Sequence, residues 1–250
     1  MAELVEVSDR RWPFSEAPPA RATFARRFRR NRLALVSLIV VIFLAATAAV
    51  GPRLYGTSAD RQDYDNINGW PSLDHPLGTD SFGRDTLARL MLGLRVSLVV
   101  ALYVEALNIG LGAGFGLLAG YFGGWVDQLL SRLADMLFAF PGLLLAILVA
   151  AVFGPAVTDR YGGIGRLLLV AGSLALVSWP LMARYVRSQT LALRERDFVE
   201  GAHAVGATDG RIIVHHILPN VAGLIVVSAT LDVAAVVVNE AVLSLLGLGI

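Results

Sequence analysis

Two carboxylates, Glu105 and Asp232, stand inside otherwise apolar runs. An ionised side chain in such a place is costly and normally faces a cavity or a partner. Either residue could line a route across a membrane and meet an ammonium group there. The same residues also fit a protonated carboxyl, or one hydrogen-bonded to a neighbouring subunit, and the spacing leaves both readings open. Asp135 has Arg132 one turn before it on the same helical face, which favours a structural ion pair. His203, His215 and His216 raise the question of a metal site. Adjacent histidines on a helix point about 100° apart, and His203 lies across Gly206, so surface or interface histidines are favoured over metal ligands. His75 is isolated. No phosphate loop, nucleophile elbow or two-histidine metal motif occurs. The expectation is a chain with no catalytic residue, no metal site and no enzyme activity of its own.

The elements that would have to position these groups are set by hydropathy. Of 250 residues, 56% are apolar and 16% charged, and mean hydropathy is +0.64, against about a quarter charged in an ordinary soluble domain. The apolar residues lie in blocks at 33–50, 94–118, 133–153, 164–182 and 221–242. Each is close to the length a helix needs to cross about 30 Å of hydrocarbon. The first lies too far from the start, and is too long, for a cleavable signal peptide. There is no cysteine, so disulfides and thiol chemistry are excluded. The expected fold is an all-α polytopic transmembrane bundle of five spans.

Charge orients it. All 21 basic residues are arginines, and the leader 1–32 holds eight of them: Arg10, Arg11, Arg21, Arg26, Arg27, Arg29, Arg30 and Arg32. Beside an apolar span such a leader reads as a topology and headgroup anchor in preference to a nucleic-acid arm. The polar stretch 183–220 adds Arg184, Arg187, Arg194, Arg196 and Arg211. Both therefore belong to the cytoplasm, which four crossings between them allow. The loop 51–93, with Asp60, Asp63, Asp65, Asp74 and Asp80, then falls outside. A short inner turn is expected at 120–128 and an outer one at 154–163. Gly110, Gly112, Gly114, Gly116 and Gly120 mark the second span as one that packs closely inside the bundle. Pro141 should kink the third by freeing the carbonyl of Leu137.

The most patterned polar segment is 198–220, FVEGAHAVGATDGRIIVHHILPN. Glu200 to Val205 can form a short helix, Gly206 allows a left-handed backbone, and Thr208 or Asp209 can cap a second helix carrying Ile212 and Ile213. Pro219 is expected to close that helix before the last span. A rigid knob of this kind suits docking on a soluble partner.

The spacing of Glu200, Gly201, Ala202, Gly206, Leu218 and Pro219 resembles the EAA loop of ABC importer permeases, in which a coupling helix fits a groove on the ATPase subunit. Gly201 stands where the family has its first alanine, and His216 where it often has isoleucine. HHILPN is similar to the RHILPN of the dipeptide/oligopeptide branch, which includes nickel carriers. HPLGTDSFGRD at 75–85, GYFGGWVDQLLSRLADMLFAFP at 120–141, LSLLGLGI at 243–250 and RRFRRNRLA at 26–34 also resemble stretches of that branch. The resemblance implies a type I ABC importer permease fold. Its organisation would be a leader at 1–32, a first transmembrane helix at 33–50, an external loop at 51–93, and a permease core at 94–250 with its coupling loop at 188–219. It also implies a prokaryotic inner-membrane location with a cytoplasmic N-terminus, a second homologous permease, two ATP-binding subunits that hold ATP and magnesium, and an external binding protein that delivers a short peptide. Glu105 and Asp232 remain the candidates for the pathway. Family members usually have six spans, whereas five are read here. Nickel or glutathione import is the alternative within the family. An ion-coupled secondary transporter and a non-transporting scaffold are the alternatives outside it.

Overall fold

The computed structural model describes residues 28–249. Arg10, Arg11, Arg21, Arg26, Arg27 and Ile250, to which the sequence assigns roles, lie outside them. Four helices among the described residues are long and apolar enough to cross a membrane, at 32–55, 86–122, 142–194 and 209–245. Their outward faces are apolar: Phe43 is 66% exposed and Leu231 72%. In water that would be a liability, and in lipid it is a requirement.

Helix α1, Arg32–Tyr55, begins at Asn31, whose side chain accepts from the Ala34 amide at 3.3 Å, and ends at Gly56 with φ of 72°. The following loop is ordered by one buried carboxylate. Asp85 accepts from the Ala88 amide at 2.7 Å as the N-cap of α2, Thr86–Leu107. It also accepts from the Tyr55 hydroxyl at 2.7 Å and meets His75 Nδ1 at 2.8 Å. His75 is therefore not the isolated residue the sequence suggests but a strut of this loop. Its partner Asp85 raises its pKa, and the bonds from Ala88, His75 and Tyr55 outweigh burial to hold the Asp85 carboxyl below its ordinary value.

Helix α2 continues through a π-helical turn, Asn108–Ala113, into α3, Gly114–Phe122, so that 86–122 is one rod. At Gly123 the backbone takes φ 63° and ψ −154°, a region open essentially to glycine alone, and α4, Gly124–Phe138, starts in a new direction. Helix α5, Gly142–Arg194, reverses in the same way at Gly162, with φ 62° and ψ −153°. Its arms lie side by side, for Ala146 shares a core with Val170 and Leu174. A Cβ on Gly142 would stand 3.5 Å from Val177. The reversal turns four long helices into five passes. After α6, Asp197–Ala204, the short α7, Asp209–Ile212, runs through a π-helical turn, Ile213–Ile217, into α8, Leu218–Leu245.

Three expectations are corrected. Pro141 does not kink a span 133–153. It stands in non-helical backbone, with φ of −59° and ψ of 115°, between two helices, and the Leu137 carbonyl, freed of its ordinary partner, accepts from the Phe140 amide at 3.3 Å. The pass begins at Gly142 instead. The outer turn expected over 154–163 shrinks to the single residue Gly162, with Gly154 and Pro155 inside the helix. Pro219 does not close a helix. The widened turn Ile213–Ile217 precedes it, and the Asn220 side-chain amide donates to the His216 carbonyl at 2.6 Å, so the rod tolerates a residue with no N–H.

The glycine-rich second span packs as its composition suggests, but through one face. A Cβ on Gly112, Gly116 or Gly120 would approach the main chain of α5 at Trp179, Ala183 or Arg187 within 2.6–2.8 Å, while Gly110 and Gly114 have nothing within 4 Å. Spacing of four residues brings the three onto one helix face. Two cores result. Val100, Val104, Leu174, Val236 and Leu243 fill the half nearer the 56–85 loop. Leu117, Val186, Val199, Ile212, Ile217 and Val221 fill the half nearer the 188–219 segment.

Candidate functional site

In the 188–219 segment, α6 is only eight residues long, too short to be stable alone, and is fixed by its buried face and its end. Val199 and Ala202 are buried in the second core. The end is a Schellman motif: the Ala207 amide donates to the Ala202 carbonyl at 3.0 Å and the Gly206 amide to the His203 carbonyl at 2.9 Å. Gly206 takes the left-handed conformation this needs, with φ of 81°. Glu200, Gly201 and Gly206 are exposed. Among the described residues the Glu200 carboxylate has no hydrogen bond or ion pair. Phe198, Gly201, Val205, Gly206, Arg211 and His216 border a surface depression of about 480 Å³. Leu218 and Pro219 sit apart from it, in the rod that leads into the bundle. The loop therefore presents a glycine-lined surface of mixed character, with Phe198 and Val205 beside Arg211 and His216, and one free carboxylate next to it.

The membrane-embedded carboxylates come together although 127 positions separate them in the chain. Asn108, in the π-helical turn and fully buried, donates through its amide to Asp232 Oδ2 at 2.8 Å, and its Nδ2 lies 3.5 Å from Glu105 Oε1. Its carbonyl accepts from the Ser178 hydroxyl at 2.9 Å. Glu105 is buried, and its Oε2 has no hydrogen-bond partner among the described residues. Asp232 reaches a cleft of about 320 Å³ that Ser178, Tyr185 and Ser228 also line. The π-helical turn swings Asn108 inward, which is the ordinary use of such a turn at a functional site.

Asp135 is paired with Arg184 of α5 at 2.6 Å, not with Arg132 as the helical spacing suggests. The same guanidinium lies 4.2 Å from the Phe138 ring centroid. That stacking fixes its position, and the neighbouring helix wins over the local turn. Asp127 accepts from both Nε and Nη2 of Arg187, the latter at 2.6 Å. This fork, helped by Ser131, outweighs burial and holds the Asp127 carboxyl below its ordinary range. His203 turns to Tyr121, and His215 Nδ1 to the Arg211 carbonyl at 3.3 Å.

Two residues with a legible signal escaped the sequence reading. Glu240 is a third carboxylate in an apolar run, buried and bound by the Ser97 hydroxyl at 2.8 Å. Asn108 is a polar residue within the glycine-rich span. Both were open to the argument that singled out Glu105.

A bundle of long lipid-facing helices, with polar groups gathered inside and a capped helical knob at one end, defines a membrane permease. Residues 112–250 match the family described as binding-protein-dependent transport system inner membrane component. Residues 21–72 match the N-terminal TM domain of oligopeptide transport permease C. The chain is 38% identical over 236 residues to the dipeptide transport system permease protein DppC of Alkalihalophilus pseudofirmus, covering 94% of this chain and 74% of the relative. It is 39% identical over 247 residues to the glutathione transport system permease protein GsiD of Escherichia coli, covering 98% of this chain and 76% of the relative, and equally so to that of Shigella boydii. The chain belongs to the binding-protein-dependent transport system inner membrane component family, in its peptide and nickel ABC permease branch, with the type I permease fold. Its function is that of an ABC importer permease, a transport protein and not an enzyme family. This displaces the ion-coupled and scaffold readings.

Proposed function

We propose that this subunit forms half of an inward pathway for short peptides in a prokaryotic inner membrane. ATP and magnesium act in two separate ATP-binding subunits, a second homologous permease completes the pathway, and an external binding protein delivers the solute. The carrying observation is the Schellman-capped α6, whose exposed surface and unpaired Glu200 form a surface suited to docking. ATP binding and hydrolysis in the docked subunits would bias a rigid-body rearrangement of the bundle. Dipeptide and glutathione permeases among the relatives support a peptide solute, and glutathione itself is compatible. The N-terminus lies in the cytoplasm with the 188–219 segment, as the arginines favour.

Orientation is open to a direct measurement, since the chain has no native cysteine. Ser72 and Ser188 are both exposed. A cysteine at Ser72 is expected to react with an impermeant maleimide on intact cells, and one at Ser188 only after permeabilisation. The reverse pattern overturns the topology.

The pathway role of Glu105 and Asp232 is tested in proteoliposomes carrying the whole complex. Uptake of a dipeptide should require ATP and persist when the proton gradient is collapsed. Glu105→Gln and Asp232→Asn should each lower uptake roughly tenfold, about the effect of losing one hydrogen bond of the buried cluster, while the complex still purifies intact. Unchanged uptake in both leaves the carboxylates a purely structural role.

A further inference from the structure

Tyr121 closes the α3 end of the glycine-faced rod, and three other elements converge on it. Its hydroxyl donates to Asp209 Oδ1, on the first residue of α7, at 2.8 Å. The same oxygen lies 3.2 Å from His203 Nε2, on α6. A phenol has one proton, so with that proton directed at Asp209 the contact to His203 requires the imidazole to donate through Nε2–H. The two rings stack with centroids 6.4 Å apart. The Tyr121 carbonyl accepts from Arg194 Nη1, at the end of α5, at 3.1 Å. The side chain is 7% exposed. Pairs 82 and 88 residues apart in the chain are thus joined through one hydroxyl.

This placement matters because, among the described residues, α6 makes little other directional contact with the bundle. Val199 and Ala202 pack against it through apolar contacts, which resist separation but permit sliding. Hydrogen bonds fix direction. Asp209 begins the continuous rod that carries Asp232, and Tyr121 ends the rod that carries Glu105 and Asn108. A shift of α6 therefore has a polar route to both rods that frame the embedded cluster.

We propose that Tyr121 is a positioning residue for energy coupling: its hydroxyl latches α6 to the start of the 209–245 rod, so that movement imposed on the docked loop reaches the transmembrane helices instead of being lost as slippage. The assignment rests on the reading of 188–219 as the ATPase-facing loop. It separates docking from transmission. Gly206 and Glu200 serve the first, and Tyr121, His203 and Asp209 serve the second.

The test uses the complete complex with its binding protein in proteoliposomes and reads dipeptide uptake per ATP hydrolysed. Tyr121→Phe keeps the ring and removes only the hydroxyl. It should lower that ratio roughly tenfold, the effect of losing a hydrogen bond to a charged group, with the ATPase subunits still copurifying. Asp209→Ala should do the same. Asp209→Asn retains an acceptor oxygen but not the charge, so its ratio should fall between those of the parent and Asp209→Ala. An unchanged ratio in Tyr121→Phe overturns the latch, as does a fall in uptake and hydrolysis by the same factor. A bifunctional cross-linker on Val205→Cys, a site 85% exposed, reports on docking separately. Absence of any link to an ATPase subunit removes the loop reading itself, whereas a normal link with an unchanged ratio in Tyr121→Phe removes only the latch.

Discussion

Gly116→Ala is expected to destabilise the bundle by about 1–3 kcal/mol, the usual cost of overpacking a closed interface. The added methyl would stand 2.6 Å from the Ala183 carbonyl oxygen, 2.8 Å from Val186 Cβ and 3.0 Å from the Arg187 amide nitrogen. None of these is the free end of a flexible side chain, so α3 and α5 must separate to admit it. Alanine's helix propensity works the other way, by about 1 kcal/mol, but separation also weakens the Phe115–Trp179 edge contact, with centroids 5.3 Å apart, and the apolar packing around Val186. Overpacking wins. Gly114→Ala on the same helix meets nothing within 4 Å and should be neutral or slightly stabilising. The measurement is thermal unfolding of the purified chain in detergent, with the two variants compared directly. Equal melting temperatures would mean that α3 and α5 are not in close contact through this face.

What could be read from the sequence divides by the range of the interaction that decides it. The apolar blocks were legible because exclusion of charge from lipid acts on every residue of a span independently. Gly206 was legible because a left-handed residue after a short helix is a local requirement. Pro141 was misread in degree. A proline frees a carbonyl wherever it falls, but whether the helix bends or ends depends on what donates to that carbonyl, and here the Phe140 amide does. Pro219 was misread because the π-helical turn that accommodates it is stabilised by burial of Ile212 and Ile217 in a core formed with α3 and α5. The reversals at Gly123 and Gly162 each fall on the first residue of a Gly-Gly pair; the first lies within the turn expected at 120–128, whereas the position of the second was blurred by the neighbouring Gly154 and Pro155. The pairing of Asp135 with Arg184 spans 49 residues, and the Tyr121 contacts span more. No local spacing announces such partners. Asn108 joins Glu105 to Asp232 for the same reason: the two suspects were visible singly, and their meeting was not.

Gly206→Val is expected to leave membrane insertion intact while binding-protein-stimulated ATP hydrolysis and uptake fall together. The argument starts from the backbone. Gly206 occupies the left-handed position of the Schellman motif, and a side chain there costs about 1–2 kcal/mol, with a β-branched residue at the upper end. Space is not the obstacle, since a Cβ at Gly206 meets nothing within 4 Å in the chain. The strain falls on an eight-residue helix that already carries Gly201 in its interior, a further cost of about 1 kcal/mol relative to alanine. The motif therefore opens first, releasing the 2.9 Å and 3.0 Å bonds at Gly206 and Ala207 and turning Val199 and Ala202 away from the core. A loss of this size lowers the population of the docking-competent loop about 5- to 30-fold. The long helices fold through contacts elsewhere, which is why insertion should survive. Gly206→Asn provides the internal control, because asparagine tolerates the left-handed region, and its loss should be clearly smaller. Glu200→Ala should also act more mildly, since an exposed carboxylate beside a partner contributes at most about 1 kcal/mol. The readouts are copurification of the ATPase subunits, ATP hydrolysis stimulated by loaded binding protein, and dipeptide uptake in the same proteoliposomes. Normal uptake by Gly206→Val, with its ATPase partners bound, would reduce the 188–219 segment to a plain connector between two spans.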